Sequence, residues 1–354
     1  MKYKSCNLIQ HGLCFFNGKL VSCCFAPCDQ INGQTPPVIY DNYNGEIPEK
    51  EDLFNRIEKY SSIFKNGGCP KECLNCYHIE EKEWDEEKYI NSITITHFSN
   101  CNADCIYCSN NLEQDERTNK VYEILPILDS LKEKGIIKQG CEFHIGGGEF
   151  TIYKECNELL EKYALTNFAK IAIPTNAIIY NENLFKALDN NSTAIIVSLD
   201  SGCKKTYKKI KKVDAFDKVV ENLTKYAKNK FMPHTIGLKY IIIPTYNDNL
   251  AEYKKFIKIA KKAGIQKVII DIDARYARLV NFEIDTYLIN LVKTFENIAI
   301  RENFITETYS FFKQSEETTK SKKSNILTKI KNYIKYKFFN KKIKELYLNN
   351  HYGK

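Results

Sequence analysis

From Asn91 to Ile298 the chain alternates short apolar runs with longer amphipathic ones, and this alternation restricts its fold more than any other feature. Strands are expected at Ser92–Phe98, Glu142–Ile145, Lys170–Pro174, Thr193–Leu199, Gly237–Ile243 and Lys267–Ile272. Helices are expected at Asn119–Lys134, Tyr153–Tyr163, Asn183–Asn190, Phe216–Lys230, Leu250–Ala263 and Ile284–Ile298. Six strand–helix units in succession imply an α/β fold on a parallel sheet with right-handed crossovers. Runs such as Ala194–Val197 and Ile241–Ile243 are apolar at successive positions, as strands buried on both faces require. An open doubly wound sheet and a partial barrel fit this pattern equally.

The regions on either side differ. Residues 1–85 are rich in Cys, Gly, Pro and Asn, with a short strand near Lys19–Val21 and a helix near Asp52–Phe64. They are expected to form a small cysteine-rich domain, followed by a core over residues 90–300. Residues 301–354 are expected to hold a polar linker, 313–325, and a basic amphipathic helix, 326–348. In that helix Ile326, Ile330, Tyr333, Ile334 and Phe338 recur between lysines. Such a helix either packs on the core or contacts an anionic membrane surface. Residues 320–354 carry eleven lysines against one acid, Glu345, so the rest of a chain of net charge +8 sums to about −2. A nucleic-acid-binding core therefore has no electrostatic support. No stretch reaches the roughly 20 apolar residues of a membrane span. With no secretory signal at the N-terminus, the expected location is cytoplasmic.

In a reducing compartment, fourteen cysteines point to metal or iron–sulfur ligation rather than disulfides. Eight lie within residues 6–76 and three at Cys101, Cys105 and Cys108, while Cys141, Cys156 and Cys203 stand alone as expected inert thiols. The triplet has the spacing C-x3-C-x2-C and follows a strand, in ITITHFSNCNADCIYC. Three thiolates on one short loop can hold three irons of a cubic cluster and leave the fourth open. The alternative is a zinc site completed by His97 or a distant cysteine. One βα unit later stands Gly146-Gly147-Gly148-Glu149. Glycines permit close approach of a backbone edge, and free carbonyls with Glu149 can accept hydrogen bonds from an ammonium group.

Together the cysteine loop, Tyr107 within it and the G-G-G-E element resemble the radical S-adenosylmethionine (SAM) superfamily over roughly residues 90–300. The resemblance implies a partial (β/α)6 barrel and a 4Fe-4S cluster on Cys101, Cys105 and Cys108. It places Tyr107 against the SAM adenine, and Gly147, Gly148 and Glu149 on the SAM amine. Phe150 stands where the family commonly has proline. Thr175 and Asn176 after the third strand, with Ser198 and Asp200 after the fourth, are implied SAM contacts at carboxyl strand ends. Asn247, after the fifth strand, is a further polar candidate. Asp271, Asp273, Arg275 and Tyr276, around the end of the sixth, suit a binding role or a structural ion pair equally. The implied chemistry is reductive cleavage of SAM to a 5′-deoxyadenosyl radical, which abstracts hydrogen from a substrate. A reductant such as flavodoxin or ferredoxin would supply the electron.

The N-terminal cysteines resemble the SPASM domain, which binds auxiliary iron–sulfur clusters in relatives of this kind. Here Gly18 precedes Cys23 by five residues, in FFNGKLVSCC, and GGCPKECLNCYH carries a second group. The domain precedes the core instead of following it, and the spacing of its second group departs from the usual pattern. The resemblance implies one or two auxiliary clusters with ligands among Cys6, Cys23, Cys28, Cys69, Cys73 and Cys76; zinc is the alternative. It implies a peptide or protein substrate. Alternatives are dehydrogenation or epimerisation of a carbohydrate or surface-glycan precursor, and a non-catalytic iron–sulfur or zinc protein that transfers electrons or scaffolds a partner.

Overall fold

The computed structural model describes residues 3–16, 18–23, 37–74, 76, 78–108, 121–273 and 286–308. Expectations for Cys28, Arg275 and Tyr276, and for the linker and helix after residue 308, lie outside these. The chain divides into two compact units. The first comprises Met1–Cys101, Asp115–Pro174 and Asn181–Ile195; the second comprises Asn102–Gln114, Thr175–Tyr180 and Ile196–Lys354.

In the first unit, β1 (Tyr3–Ser5) is followed by α1 (Asn7–His11), β2 (Gly12–Phe16), β3 (Gly18–Val21), β4 (Val38–Tyr43), α2 (Lys50–Lys65) and β5 (Glu80–Lys82). Strands β1 and β5 form their own antiparallel ladder, with Ser5 opposite Glu80. Next come β6 (Ile90–Ile95), α3 (Leu125–Glu133), β7 (Ile137–Ile145), α4 (Cys156–Leu159) and β8 (Ala169–Thr175). The strand order is β4-β3-β2-β6-β7-β8. Strands β2, β3 and β4 form an antiparallel meander, whereas β2 to β6, β6 to β7 and β7 to β8 are all parallel. The segment expected as a separate domain thus supplies three strands to the sheet of the core. Phe15, Leu20 and Val21 are buried, and the strand faces that carry them need a covered sheet.

Helix α5 (Glu182–Asp189) leads into β9 (Thr193–Ser198), whose first half belongs to the first unit and second half to the second. The second unit continues with α6 (Lys204–Lys211), α7 (Phe216–Tyr226), β10 (Ile236–Ile242), α8 (Leu250–Lys262), β11 (Lys267–Ile272), α9 (Thr286–Arg301) and β12 (Ile305–Thr308). Its strand order is β9-β10-β11-β12, parallel from β10 to β12. Tyr240, Tyr253, Phe256 and Phe295 are fully buried and pack as an aromatic cluster between β10 and the helices α8 and α9. Tyr253 stacks on Phe295 at 4.0 Å.

The protein is therefore a mixed α/β fold on a parallel-strand sheet, with the six expected strands realised as β6 to β11. Three expected helices differ in detail. Of Asn119–Lys134, the described part is helical over Leu125–Glu133. Phe216–Lys230 ends earlier, at Tyr226. Tyr153–Tyr163 is broken: a 3-10 turn at Phe150–Ile152 precedes α4, and a π turn covers Leu160–Ala164. The wider π turn lets Leu160, Tyr163 and Ala164 all bury. Helix α6 escapes the sequence pattern, because five of its eight residues are lysine. Among the described residues no helix is long and apolar enough to cross a membrane.

Truncating Phe295 to alanine removes the partner of Tyr253 from a dry site. We expect Phe295→Ala to destabilise the protein by about 3–5 kcal/mol in urea unfolding, with little change in strand content by circular dichroism before the transition.

Candidate functional site

In the first unit, β6 runs on into the segment that ends at Cys101. Gly146 N–H donates to Ile95 O at 2.9 Å, Gly148 N–H to Phe98 O at 2.8 Å and Glu149 N–H to Asn100 O at 2.8 Å. The glycine turn thus lies along the backbone that leads to the first cysteine. A Cβ on Gly147, whose φ is +80°, would sit 2.1 Å from Phe98 O, and one on Gly148 would sit 2.1 Å from Asn100 O. These positions require glycine for backbone-to-backbone packing. Glu149 is buried, and its Oε1 accepts from Thr151 N–H at 3.2 Å and Thr151 Oγ1–H at 2.8 Å. It thereby caps the 3-10 turn that follows.

Beneath this segment lies an aromatic stack. His97 stacks on Tyr122 at 4.4 Å and Phe98 on Tyr153 at 4.4 Å. His97 is 2% exposed, with Nε2 at 3.1 Å from Tyr122 O and 3.2 Å from Tyr153 Oη. The Nε2 atom of the residue considered as a fourth zinc ligand is thus engaged inside the stack. Tyr153 Oη–H donates to Glu155, whose carboxylate also accepts from the N–H groups of Ile124 and Leu125 at the start of α3.

In the second unit, the later part of the cysteine loop is held by the end of α6. Asp104 N–H donates to Lys211 O at 3.0 Å and Ile106 N–H to Ile210 O at 2.9 Å, while Cys108 N–H closes a turn onto Cys105 O at 3.0 Å. Ile106 and Tyr107 pack against Ile210, Ile241 and Ile243. Tyr107 Oη–H donates to Asp200 Oδ2 at 2.5 Å. The Asp200 side chain is fully buried; it pairs with Lys211 Nζ and accepts from Ile241 N–H at 2.8 Å. Burial and the Asp200 charge both push the Tyr107 phenol well above its usual range. Asp200 and Tyr107 are therefore joined to each other by their polar atoms.

Thr175 and Asn176 form a turn after β8. Thr175 Oγ1 accepts from Ala177 N–H at 3.0 Å, and Asn176 accepts from Ile178 N–H at 2.9 Å while donating to Asn102 Oδ1 at 2.6 Å. Ser198 closes β9 half-buried. Asn247 donates to Asp200 O and Ile241 O and accepts from Ile243 N–H, each at 2.7 Å, so it works as an internal latch. Asp271 pairs with Lys239 at 3.0 Å, and Asp273 is buried. Lys211 was absent from the expected set. It lies in a lysine-rich run, and only its burial beside Asp200 separates it from its neighbours.

Cys101 is exposed, and Cys105 and Cys108 are half-buried. Among the described residues no three His, Cys, Asp or Glu side chains are gathered closely enough to hold a metal ion. The fit to an iron–sulfur cluster rests on donor chemistry: three soft thiol donors lie within eight residues, on a loop held by backbone hydrogen bonds. In the first unit Cys6 and Cys73 are buried with Ile9, Tyr60 and Phe64, and Cys69 packs against them. Burial pushes the Cys73 thiol up, and the neighbouring Cys6, Cys69 and Cys76 push it further. Two groups distant in sequence thus meet here. Cys23 is buried after β3. Burial also pushes up the isolated thiols, Cys141 to about 12 and Cys156 above its usual value. Cys203 lies half-buried beside Thr206 and Glu252.

The glycine contacts leave no room for a methyl group. Gly148→Ala should destabilise the protein on the order of 3 kcal/mol, read from its denaturation midpoint. Burial holds the His97 imidazole down at about 4, against an ordinary value of 6.5. Between those values the unfolded chain binds more protons than the folded one. Stability should therefore fall as pH drops from about 6.5 to about 4, by up to about 3 kcal/mol. His97→Gln should flatten that part of the stability–pH curve.

Comparison with known proteins bears on the same region. Residues 95–257 match the family model described as "Radical SAM superfamily". A "Probable GTP 3′,8-cyclase" of Saccharolobus islandicus (strain M.14.25 / Kamchatka #1) is 26% identical over 179 residues, 50% of this chain and 54% of the relative. The protein of the same name from Sulfurisphaera tokodaii is 24% identical over 177 residues, 50% and 53% of the two chains. The chain matches about half the length of these curated relatives. Among solved structures, Streptococcus suis SuiB bound to precursor peptide SuiA is 14% identical, with a TM-score of 0.48, 90% of this chain and 75% of that one being covered. Native anSMEcpe with bound AdoMet is 17% identical, with a TM-score of 0.42 and coverage of 61% and 63%. Residues 95–257 of this chain form a radical SAM superfamily domain.

Proposed function

We propose that this chain is an enzyme that cleaves SAM reductively and uses the resulting radical to abstract hydrogen from a peptide or protein substrate. The observation that carries the first part is the backbone ladder between the glycine turn and the segment entering the cysteine loop, in which Gly148 and Glu149 donate to Phe98 and Asn100. A loop designed only to bind zinc has no need of a side-chain-free turn packed along its entry.

When bound, a four-iron cluster supplies the electron that splits SAM into methionine and a 5′-deoxyadenosyl radical. In this reading Cys101, Cys105 and Cys108 are its thiolate ligands, and the exposure of Cys101 leaves that thiol accessible for loading. Backbone groups of Gly147 and Gly148 and the buried carboxylate of Glu149 orient the SAM amine. Thr175, Asn176 and Ser198 offer polar atoms toward its ribose. The Tyr107 ring meets the adenine by its face, since its hydroxyl is engaged with Asp200. Asp200 acts through Tyr107 and the backbone of β10 rather than by direct contact. The peptide or protein substrate rests on the likeness of the N-terminal cysteine pattern to SPASM domains. In the same reading, one or two auxiliary clusters draw ligands from Cys6, Cys69, Cys73 and Cys76, with Cys23 and Cys28. The domain limits 1–85, 90–300 and 301–354 belong to this proposal also.

The names of the curated relatives favour a second reading, a radical cyclisation of a nucleotide. They match over about half their length.

Anaerobic reconstitution tests the reading. Wild type should take up four irons or more per chain and release 5′-deoxyadenosine from SAM and dithionite. Replacing Cys101, Cys105 and Cys108 together by alanine should abolish that release. A wild-type chain with full iron content and no deoxyadenosine would overturn the proposal. Deuterium appearing in deoxyadenosine from a labelled peptide, but not from labelled GTP, would separate the two readings.

A further inference from the structure

The second unit holds an ammonium group in an unusual place. Lys211, the last residue of α6, has a side chain 1% exposed, beside an Asp200 side chain that is 0% exposed. A lone buried ammonium is costly, so a lysine in such a position requires a full set of partners. Its partners are Asp200 Oδ2 and, at 2.5 Å, Tyr107 Oη. Tyr107 Oη in turn donates to the same carboxylate oxygen, closing a three-membered ring of polar contacts. The ammonium also lies 5.0 Å from the centre of the Tyr107 ring.

The carboxylate is itself fixed. Asp200 sits in the left-handed region, at φ +56°, with its Oδ1 on Ile241 N–H and its carbonyl on Asn247. The backbone around Lys211 is fixed as well. The helix ends at Lys212, also left-handed at φ +59°, and the carbonyls of Ile210 and Lys211 hold Ile106 and Asp104. The loop is therefore fastened twice by one short helix end, through its backbone at Asp104 and Ile106 and through its side chain at Tyr107.

We propose that Lys211 is a positioning residue for the cysteine loop, locking the stretch Asp104–Cys108 to the ends of β9 and β10 through Tyr107 and Asp200. The proposal rests on the reading that this loop holds an iron–sulfur cluster. Lys211 itself touches no reacting atom. Burial alone would push its pKa down, but Asp200, with Cys105 behind it, holds the ammonium above the usual lysine range. The cation stays paired with the Asp200 carboxylate and the Tyr107 hydroxyl.

Three variants test this. Tyr107→Phe cuts the side-chain tie and leaves the Lys211–Asp200 pair intact. The double variant Lys211→Met with Asp200→Asn removes both charges at once, so neither is left buried alone. Lys211→Arg keeps the charge and the donors. In the metal-free chain, amide hydrogen exchange at residues 104–108 should rise by roughly tenfold in the first two and stay near wild type in the third, with exchange in β6–β8 unchanged. In the reconstituted chain, loss of iron from this loop to a chelator should quicken in the same order. Unchanged exchange at 104–108 in both Tyr107→Phe and the double variant would overturn the proposal, as would faster exchange spread evenly over the second unit. If the wild-type chain takes up no cluster, the chelator measurement fails together with the functional reading. The exchange measurement on the metal-free chain still decides the role of Lys211.

Discussion

A stretch of backbone without side chains governs the first unit. Gly147 and Gly148 pack so closely on Phe98 and Asn100 that a Cβ at either glycine would overlap a carbonyl oxygen of the other segment. Two consequences follow from this contact. The glycine turn continues the parallel pairing of β6 and β7 beyond the ends of the strands, so the residues before Cys101 inherit the order of the sheet. The turn also cannot be altered piecemeal, because each added methyl group meets a carbonyl that is already a hydrogen-bond acceptor. His97, Phe98, Tyr122 and Tyr153 then support the same segment by stacking, with Glu155 tying Tyr153 to the start of α3. The entry to the cysteine loop is rigid from both sides.

The second unit reaches a similar end by different physics. There, rigidity comes from charge: a buried carboxylate and ammonium that share the Tyr107 hydroxyl and lie out of reach of solvent. Such a pair gains little net stability over an apolar replacement, but it is exacting about geometry, because either charge alone would be very costly. Asn247 adds three hydrogen bonds at the same corner and holds the backbone of Asp200. Of the strand-end residues the sequence singled out, Asp200 and Asn247 are thus mainly internal braces, whereas Ser198 remains half-buried at its strand end.

Much of this was legible in the residues themselves. The β6–β11 strands stand out because each is a short apolar run between amphipathic stretches, and parallel strands show that pattern most plainly. The glycine–glutamate element and the cysteine loop were legible through spacing. Helix α6 was not, since lysines hide its two apolar contacts, Tyr207 and Ile210. Lys211 was hidden for the same reason: burial of one lysine in a row of them is a property of the fold. The meeting of Cys6 with Cys69 and Cys73 was equally hidden. It depends on the β1–β5 ladder, which joins residues some eighty positions apart through three-residue strands too short to carry a periodic signal.

The pairing of β2 with β6 has a consequence for how the chain can be divided. Strand β6 carries Ile90, Ile93 and Ile95, all buried, and has β2 along one side and β7 along the other. Cutting away the cysteine-rich segment to isolate a catalytic fragment would strip β2 from it. A central strand would become an open parallel edge, with unsatisfied amides beside an apolar face, the kind of surface that recruits other chains. The N-terminal region is in this sense a guard rail for the sheet, whatever its cysteines hold.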